Sequence, residues 1–306
     1  MTEKVIDATS LGFAYHKESV LQDINLTVYA GEIFGLVGAD GAGKSTLLQL
    51  GVGQLQPGEG HIQVLGKDAT DPILRDDIAY MPQGFGLYPD LSVQENMEFF
   101  ADLHGLPAQQ SGAKIRDLLK RTGLGGFESR RGGNLSGGMM QKLALACVLV
   151  HDPKVMFLDE PTTGVDPLSR RAFWQLIDNV RAEGVAILYA TANMDEAERC
   201  DRVGLLEAGN LTRQGTPVEL AQQDESYLVA VHGDDVRGHR NEIKQLPGVE
   251  LAFPMGLRLN VWLMKNRALE DFQQSLKDIA ADLRVESMTA SLHDATLRNM
   301  VLAEQQ

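Results

Sequence analysis

Cysteine is scarce in this 306-residue chain: Cys147 and Cys200 are the only two, far apart and without metal-ligand spacing. That excludes a disulfide-stapled scaffold and a cysteine-built metal centre, and the expectation is two packed, reduced thiols of a cytosolic protein. The seven histidines are equally scattered, with no clustered ligand set. Long apolar runs are missing as well. The richest, "LALACVLV" at 143–150, falls far short of the ~18 to 20 residues that span a bilayer. The opening "MTEKVIDATS" carries acids where a secretory signal needs an apolar segment, so any membrane role is expected to come through a partner. Positive charge is in deficit: 28 Lys and Arg stand against 42 Asp and Glu, a net charge of -14 spread along the chain. A protein whose main business is gripping phosphate backbones carries a basic patch, so direct nucleic-acid binding is not expected.

What is present is ordinary core material, 43% hydrophobic and 23% charged, enough for one large domain and a small appendage. Alternating short strands at 4–37 lead into a glycine-rich turn and a helix. More strand-like sequence follows at 61–82, then helical periodicity from Ser92 to about Leu149, then strand and helix in alternation from "KVMFLDEP" to "RVGLLEAG". That order reads as an α/β domain with a parallel sheet. Near Asp224 the texture changes to strand, a helix over "DVRGHRNEIKQL" at 235–246, two strands, helix, strand and a final helix, the order of a split βαβ, ferredoxin-like α+β module. The expected domains are 1–223 and 224–306.

Three motifs carry chemistry. In "GADGAGKST", Gly38, Gly43, Lys44 and Ser45 satisfy G-x-x-x-x-G-K-[ST] between an apolar strand and a helix. Backbone amides of such a loop curl around phosphates, the lysine meets the β and γ phosphates, and the hydroxyl reaches Mg²⁺. Asp40 is unusual inside an anion cradle, where its carboxylate must point outward. The alternative is a glycine-rich turn that binds nothing. Second, four apolar residues precede Asp159 and Glu160 in "VMFLDEP", a buried strand delivering two acids: Asp159 for the metal shell, Glu160 to polarise an attacking water. A solvated cap is the plainer reading. Third, Ser136, Gly137 and Gly138 open a helix in "LSGGMMQKL", a second anion-binding helix start. One nucleotide does not need two such loops, which points to a site shared between subunits.

With these motifs in this order, residues 4–220 resemble the ATP-binding-cassette (ABC) transporter ATPases, a P-loop NTPase fold with a mixed-sheet core and a helical subdomain. The resemblance implies ATP and Mg²⁺ as ligands, with the loop formed by Gly38, Asp40, Gly41, Ala42, Gly43, Lys44, Ser45 and Thr46. It implies that Tyr15 stacks on adenine, that Gln83 of "MPQ" reaches Mg²⁺ and reports to a permease, and that Asp166 of "GVDP" lies in the loop crossing between paired cassettes. Ordinary strand packing is the alternative for Tyr15. "MPQGFGLYPDLSVQEN", "GVDPLSRR" and "SLHDATLRNMV" are similar to the bacterial drug-efflux branch. That branch implies a second cassette and a separate integral membrane permease as partners, export of small or lipophilic compounds, and a peripheral position on the cytoplasmic face of the inner membrane. The segment 84–103, with Phe85, Tyr88, Phe99 and Phe100, falls where the family receives its permease; helical-subdomain core is the competing reading.

One position departs from the family pattern. Where a switch histidine precedes "MDEAE", this chain has Ala192, and alanine neither donates a hydrogen bond nor carries charge. Losing one transition-state donor typically costs on the order of 10² to 10³ in rate, so the chain's own site is expected to hydrolyse slowly and to pair with a histidine-bearing cassette. Asn193 is one position off. A non-transport cassette acting on ribosomes, and a regulatory cassette that binds without meaningful turnover, are the alternatives. No N-K-x-D guanine motif occurs, which disfavours a GTPase.

Overall fold

The computed structural model describes residues 3–222 and 225–303. It divides into two compact units, Met1–Gln214 and Gly215–Gln306. The boundary expected between Gln223 and Asp224 lies outside the described residues.

The first unit holds two sheets. The strands β1 (Lys4–Tyr15), β2 (Glu18–Tyr29), β4 (Glu59–Val64) and β5 (Lys67–Asp68) form an antiparallel sheet in the order β2-β1-β4-β5. The second sheet contains β3 (Ile33–Val37), β6 (Ile78–Met81), β7 (Val155–Asp159), β8 (Ala186–Thr191), β9 (Arg202–Glu207) and β10 (Asn210–Gly215), in the order β10-β9-β3-β8-β7-β6. Pairings β3 with β8 and β9, and β7 with β6 and β8, are parallel. Every residue of β3, β7 and β8 is buried, as expected of parallel strands covered on both faces, and this explains their unbroken apolar runs. Because ligands bind beyond the carboxyl ends of such strands, the sheet places the ends of β3, β7 and β8 together.

Helix α1 (Lys44–Gly51) follows β3 directly. The helical subdomain is built from α2 (Val93–Leu103), α3 (Ala108–Arg121) and α4 (Gly137–Leu149), around Met97, Ile115, Leu119, Leu143 and Cys147. A capping box starts α2: Ser92 Oγ accepts from Glu95 N–H at 3.1 Å and Glu95 Oε2 accepts from Ser92 N–H at 2.7 Å. Fully buried Asn96 exchanges hydrogen bonds with the Tyr88 backbone at 2.9 and 3.0 Å, fixing the segment that follows Gln83. Helices α5 (Pro167–Ala182) and α6 (Met194–Ala197) follow β7 and β8. Cys147 and Cys200 are free and buried, and burial pushes both thiols up, which keeps them inert.

The second unit opens with α7 (Pro217–Ala221), then β11 (Ser226–His232), α8 (Arg240–Lys244), β12 (Val249–Met255), β13 (Arg258–Met264), α9 (Leu269–Ile279), β14 (Arg284–Ser287) and α10 (Leu292–Ala303). Its antiparallel sheet runs β12-β13-β11-β14, the strand order of a split βαβ module. Alternation sorts its core. Val229, Val231 and Val261 join Ile243, Phe272 and Leu276, while Leu228, Trp262, Leu251 and Phe253 join Leu297 and Val301. The helix expected over 235–246 contracts to α8, because Gly238 disfavours helix and its N–H closes a turn onto the Asp235 carbonyl at 3.0 Å.

Candidate nucleotide site

The phosphate loop leaves β3 at Gly38 and enters α1 at Lys44. Gly43 is the N-cap with φ 106°, a conformation side chains avoid, and a Cβ there would lie 2.7 Å from Leu21 Cδ2. Lys44 is 5% exposed. Its Nζ donates to the carbonyls of Gly38 at 2.8 Å and Ala39 at 3.0 Å, and lies 3.0 Å from Glu160 Oε1. Asp40 points outward, 94% exposed, with Oδ1 4.0 Å from the same ammonium. Ala42 and Thr46 are buried, whereas Gly41 is open, with nothing near a would-be Cβ.

Strand β7 delivers the two acids. Asp159 is buried, and burial pushes its carboxyl above the usual carboxylate range; a hydrogen bond from Ser45 opposes that shift and neighbouring Glu160 adds to it. Its Oδ2 accepts from Tyr80 OH at 3.5 Å, and its Oδ1 is buried without a partner. A buried carboxylate oxygen left unpaired beside a serine hydroxyl matches the oxygen donors that Mg²⁺ takes, so Asp159 and Ser45 fit that ion. Tyr80 is itself pushed up to about 12 by burial and by Asp159.

Glu160 carries backbone strain, with φ 47° in a residue that is not glycine, a conformation costing on the order of 1–3 kcal/mol. Its N–H donates to the Ala190 carbonyl at 3.0 Å. Its Oε2 accepts from Thr163 Oγ1 at 3.1 Å and Gln83 Nε2 at 3.5 Å. Lys44, Ser45, Gln83, Asp159 and Glu160 therefore meet at one place, where an acceptor carboxylate, a cation and an unpaired metal-type oxygen converge. Tyr15, last in β1, is 46% exposed, packs edge-on against Phe13 at 4.8 Å, and hydrogen-bonds Gln49 of α1 at 3.4 Å.

Ser136, Gly137 and Gly138 stand apart from this cluster. Ser136 caps α4, accepting from Met139 N–H at 3.3 Å, and its own hydrogen remains to donate. A Cβ on Gly138 would lie 2.4 Å from Ser169 Oγ, so glycine lets α4 approach α5. Asp166 caps α5 through Leu168 and Ser169 N–H at 3.1 and 3.0 Å. Bonds from Ser169, first side chain and then backbone, hold its carboxyl below the usual range. Among the described residues no hydrogen bond joins 136–138 to 38–46. One chain thus presents two separate glycine-bearing helix starts, at Gly43 and at Ser136.

Ala192 is exposed. Asn193, one position on, uses its Oδ1 to cap α6, accepting from Asp195 N–H at 3.0 Å. The motifs did not foretell the bonds of Tyr80 to Asp159 or Thr162 to Glu196, which cross tens of positions, nor the local bonds of Thr163 to Glu160 and of Thr191 and Tyr189 to Glu196, which no motif marks.

Residues 21–163 match the ABC transporter family profile, and the chain belongs to that family as an ATP-binding domain, whose general activity is ATP hydrolysis. It is 40% identical over 276 residues to the probable multidrug ABC transporter ATP-binding protein YbhF of Escherichia coli (strain K12), covering 89% of this chain and 47% of that protein. The chain thus spans about half the length of that relative. It is 36% identical over 242 residues to the Nod factor export ATP-binding protein I of Burkholderia lata, covering 78% of this chain and 80% of that protein. The solved structure of cbiO1 from Clostridium perfringens, part of the ABC transporter complex cbiONQ, superposes with a TM-score of 0.66 at 32% identity, covering 71% of this chain and 90% of that one. Among the described residues no helix is long and apolar enough to cross a membrane.

Proposed function

We propose that this chain is the ATP-driven subunit of an ABC exporter that energises a separate membrane permease for small or lipophilic compounds. The observation that carries the reading is the 3.0 Å pairing of Lys44 with Glu160 beside the unpaired Asp159 oxygen, together with a second, separate helix start at Ser136. The relatives named for multidrug and Nod factor export support the direction of transport.

In this reading the 38–46 loop receives the β and γ phosphates, Lys44 exchanges Glu160 for the γ-phosphate, and Tyr15 stacks on adenine. Mg²⁺, when bound, offsets phosphate charge; Asp159, Ser45 and Gln83 are the residues that would hold it. Freed from Lys44, Glu160 turns its carboxylate to the attacking water and accepts its proton. Ser136, Gly137 and Gly138 of an opposing cassette close over the same nucleotide, with Asp166 in the crossing loop. Without a switch histidine at Ala192, turnover at this site is slow, so a histidine-bearing cassette is the favoured partner and a homodimer the lesser one.

The permease contact falls on 84–103, on the cytoplasmic face of the bacterial inner membrane. Tyr88, Phe99 and Leu103 are 46%, 39% and 48% exposed, and the Tyr88 and Phe99 rings meet edge-on at 4.7 Å, an aromatic patch of the kind that anchors interfaces. A regulatory cassette with slow hydrolysis is the second reading, favoured by Ala192 alone. Affinity purification of the chain from its native membrane tests the proposal. Permease subunits in stoichiometric amounts are expected, and ribosomal particles in their place would refute it.

A further inference from the structure

Glu196 takes no part in the chemistry described above, yet it is among the most heavily bonded side chains of the first unit. It is 4% exposed. Its Oε1 accepts from Thr162 Oγ1, and its Oε2 accepts from Thr191 Oγ1 at 2.7 Å and Tyr189 OH at 3.1 Å. Arg170 Nε lies 3.6 Å from Oε1 and supplies the opposing charge. Three hydroxyl donors and one guanidinium charge, from three segments, therefore converge on one buried carboxylate, an arrangement in which each partner's loss leaves the others under-satisfied.

The three segments are those that surround Glu160 and Asp166. Thr162 lies two positions after Glu160, and the next residue, Thr163, bonds the Glu160 carboxylate. Tyr189 and Thr191 flank Ala190, whose carbonyl holds the Glu160 N–H. Thr191 Oγ1 also accepts the Asn193 N–H at 2.9 Å, setting the turn that carries Ala192. Arg170 reaches on to the Val165 carbonyl at 3.3 Å, next to Asp166. Glu160 itself sits at φ 47°, and a strained backbone persists only where its surroundings over-determine it.

We infer that Glu196 is a positioning residue: its carboxylate clamps the loop after Glu160 to the end of β8 and to the Asp166 loop, and so holds Glu160 in its strained, reactive orientation. Nucleotide binding rests on Lys44, the loop amides and Tyr15, to which Glu196 makes no hydrogen bond among the described residues; its partner Thr191 meets the loop only through its backbone carbonyl, which accepts from Gly38 N–H at 3.4 Å. The clamp therefore acts chiefly on the chemical step. This rests on the proposed ATPase reading.

The test compares native chain with Glu196→Gln, which keeps shape and one acceptor, and with Glu196→Ala and Thr162→Val, in MgATP hydrolysis and in binding of trinitrophenyl-ATP. Misplacing a catalytic group by about 1 Å costs about 10²-fold, so kcat is expected to fall by about 10²-fold in Glu196→Ala and by about 10-fold in Glu196→Gln. KM and analogue affinity should stay within about 2-fold, the mark of an interaction serving only the transition state. Glu196→Gln should melt with the native chain, and Thr162→Val should add nothing to Glu196→Ala, because the two share one contact. Should Glu196→Ala fail to fold, Glu196→Gln and Thr162→Val decide alone. Loss of analogue affinity in step with kcat, or native kcat in Glu196→Gln and Thr162→Val, overturns the inference while the ATPase reading stands. A native chain that binds MgATP and never hydrolyses it overturns both.

Discussion

Lys44 Nζ and Glu160 Oε1 stand 3.0 Å apart, with only 5% and 10% of the two side chains exposed. In the proposed function these are the cation that meets phosphate and the carboxylate that meets water, and they occupy each other until a nucleotide separates them. Paired charges of this kind lose much when one partner is removed, and the pairing links binding to activation of the base.

Glu160→Gln removes the competitor for Lys44 together with the base. Turnover is expected to fall by about 10² to 10⁴, the range supplied by a general base, while MgATP binds at least as tightly as to the native chain. Phosphate release and a nucleotide titration on the same preparation check both halves. Weaker binding by Glu160→Gln would contradict the exchange of partners at Lys44.

Ala192→His restores a donor at the switch position, and turnover should rise on the order of 10²-fold. Asn193→Ala removes a helix cap worth about 1 kcal/mol and should lower the melting temperature without slowing hydrolysis, because Asn193 Oδ1 is already engaged with Asp195 N–H. Steady-state assays and thermal melts of the two variants decide. A silent Ala192→His would mean that slow turnover has another origin.

Asp159→Asn should stabilise the nucleotide-free protein at neutral pH while abolishing magnesium-dependent hydrolysis. Burial raises the folded pKa of Asp159 above its ordinary 3.8, so the folded state holds this proton more tightly than the unfolded chain. Ionisation begins to penalise the fold as pH climbs past 3.8, and the penalty is complete above the raised folded value. The melting-temperature gain of Asp159→Asn should therefore appear as pH rises and vanish under acid conditions, where both states are protonated. A gain of equal size at every pH would assign it to packing.

Gly138→Ala forces a methyl group onto Ser169, whose Cβ would lie only 2.5 Å away, whereas Gly137→Ala meets nothing within 4 Å. Overpacking of this kind costs about 1–3 kcal/mol. Chemical denaturation should show Gly138→Ala destabilised by that amount and Gly137→Ala near native, with Ser169→Gly restoring the former.

How much of this was legible beforehand follows the range of the interactions. Gly38 to Thr46 could be read because strand, turn and helix start lie within nine neighbouring positions, and the same holds for the helix start at Ser136. Strands β3, β7 and β8 announced themselves as unbroken apolar runs, because parallel strands are buried on both faces. The split βαβ order of the second unit followed from its element sequence, although α8 proved shorter than its periodicity implied. What could not be read was tertiary. The Lys44 to Glu160 pairing and the Thr162 to Glu196 bond join residues that only the folded sheet brings together. Periodicity and spacing carry no trace of them.

The Lys44 loop of one cassette and the Ser136 loop of another are proposed to hold one MgATP between them. Sedimentation of the Glu160→Gln chain, alone and mixed with the partner cassette that co-purifies with it, in saturating MgATP and beside a Glu160→Gln, Ser136→Arg double variant, measures this directly. The expected result is the mass of two cassettes for Glu160→Gln with partner and nucleotide, and separate single cassettes for the double variant or without nucleotide. Single cassettes under every condition, partner included, or a pair indifferent to nucleotide and to Ser136→Arg, would contradict it.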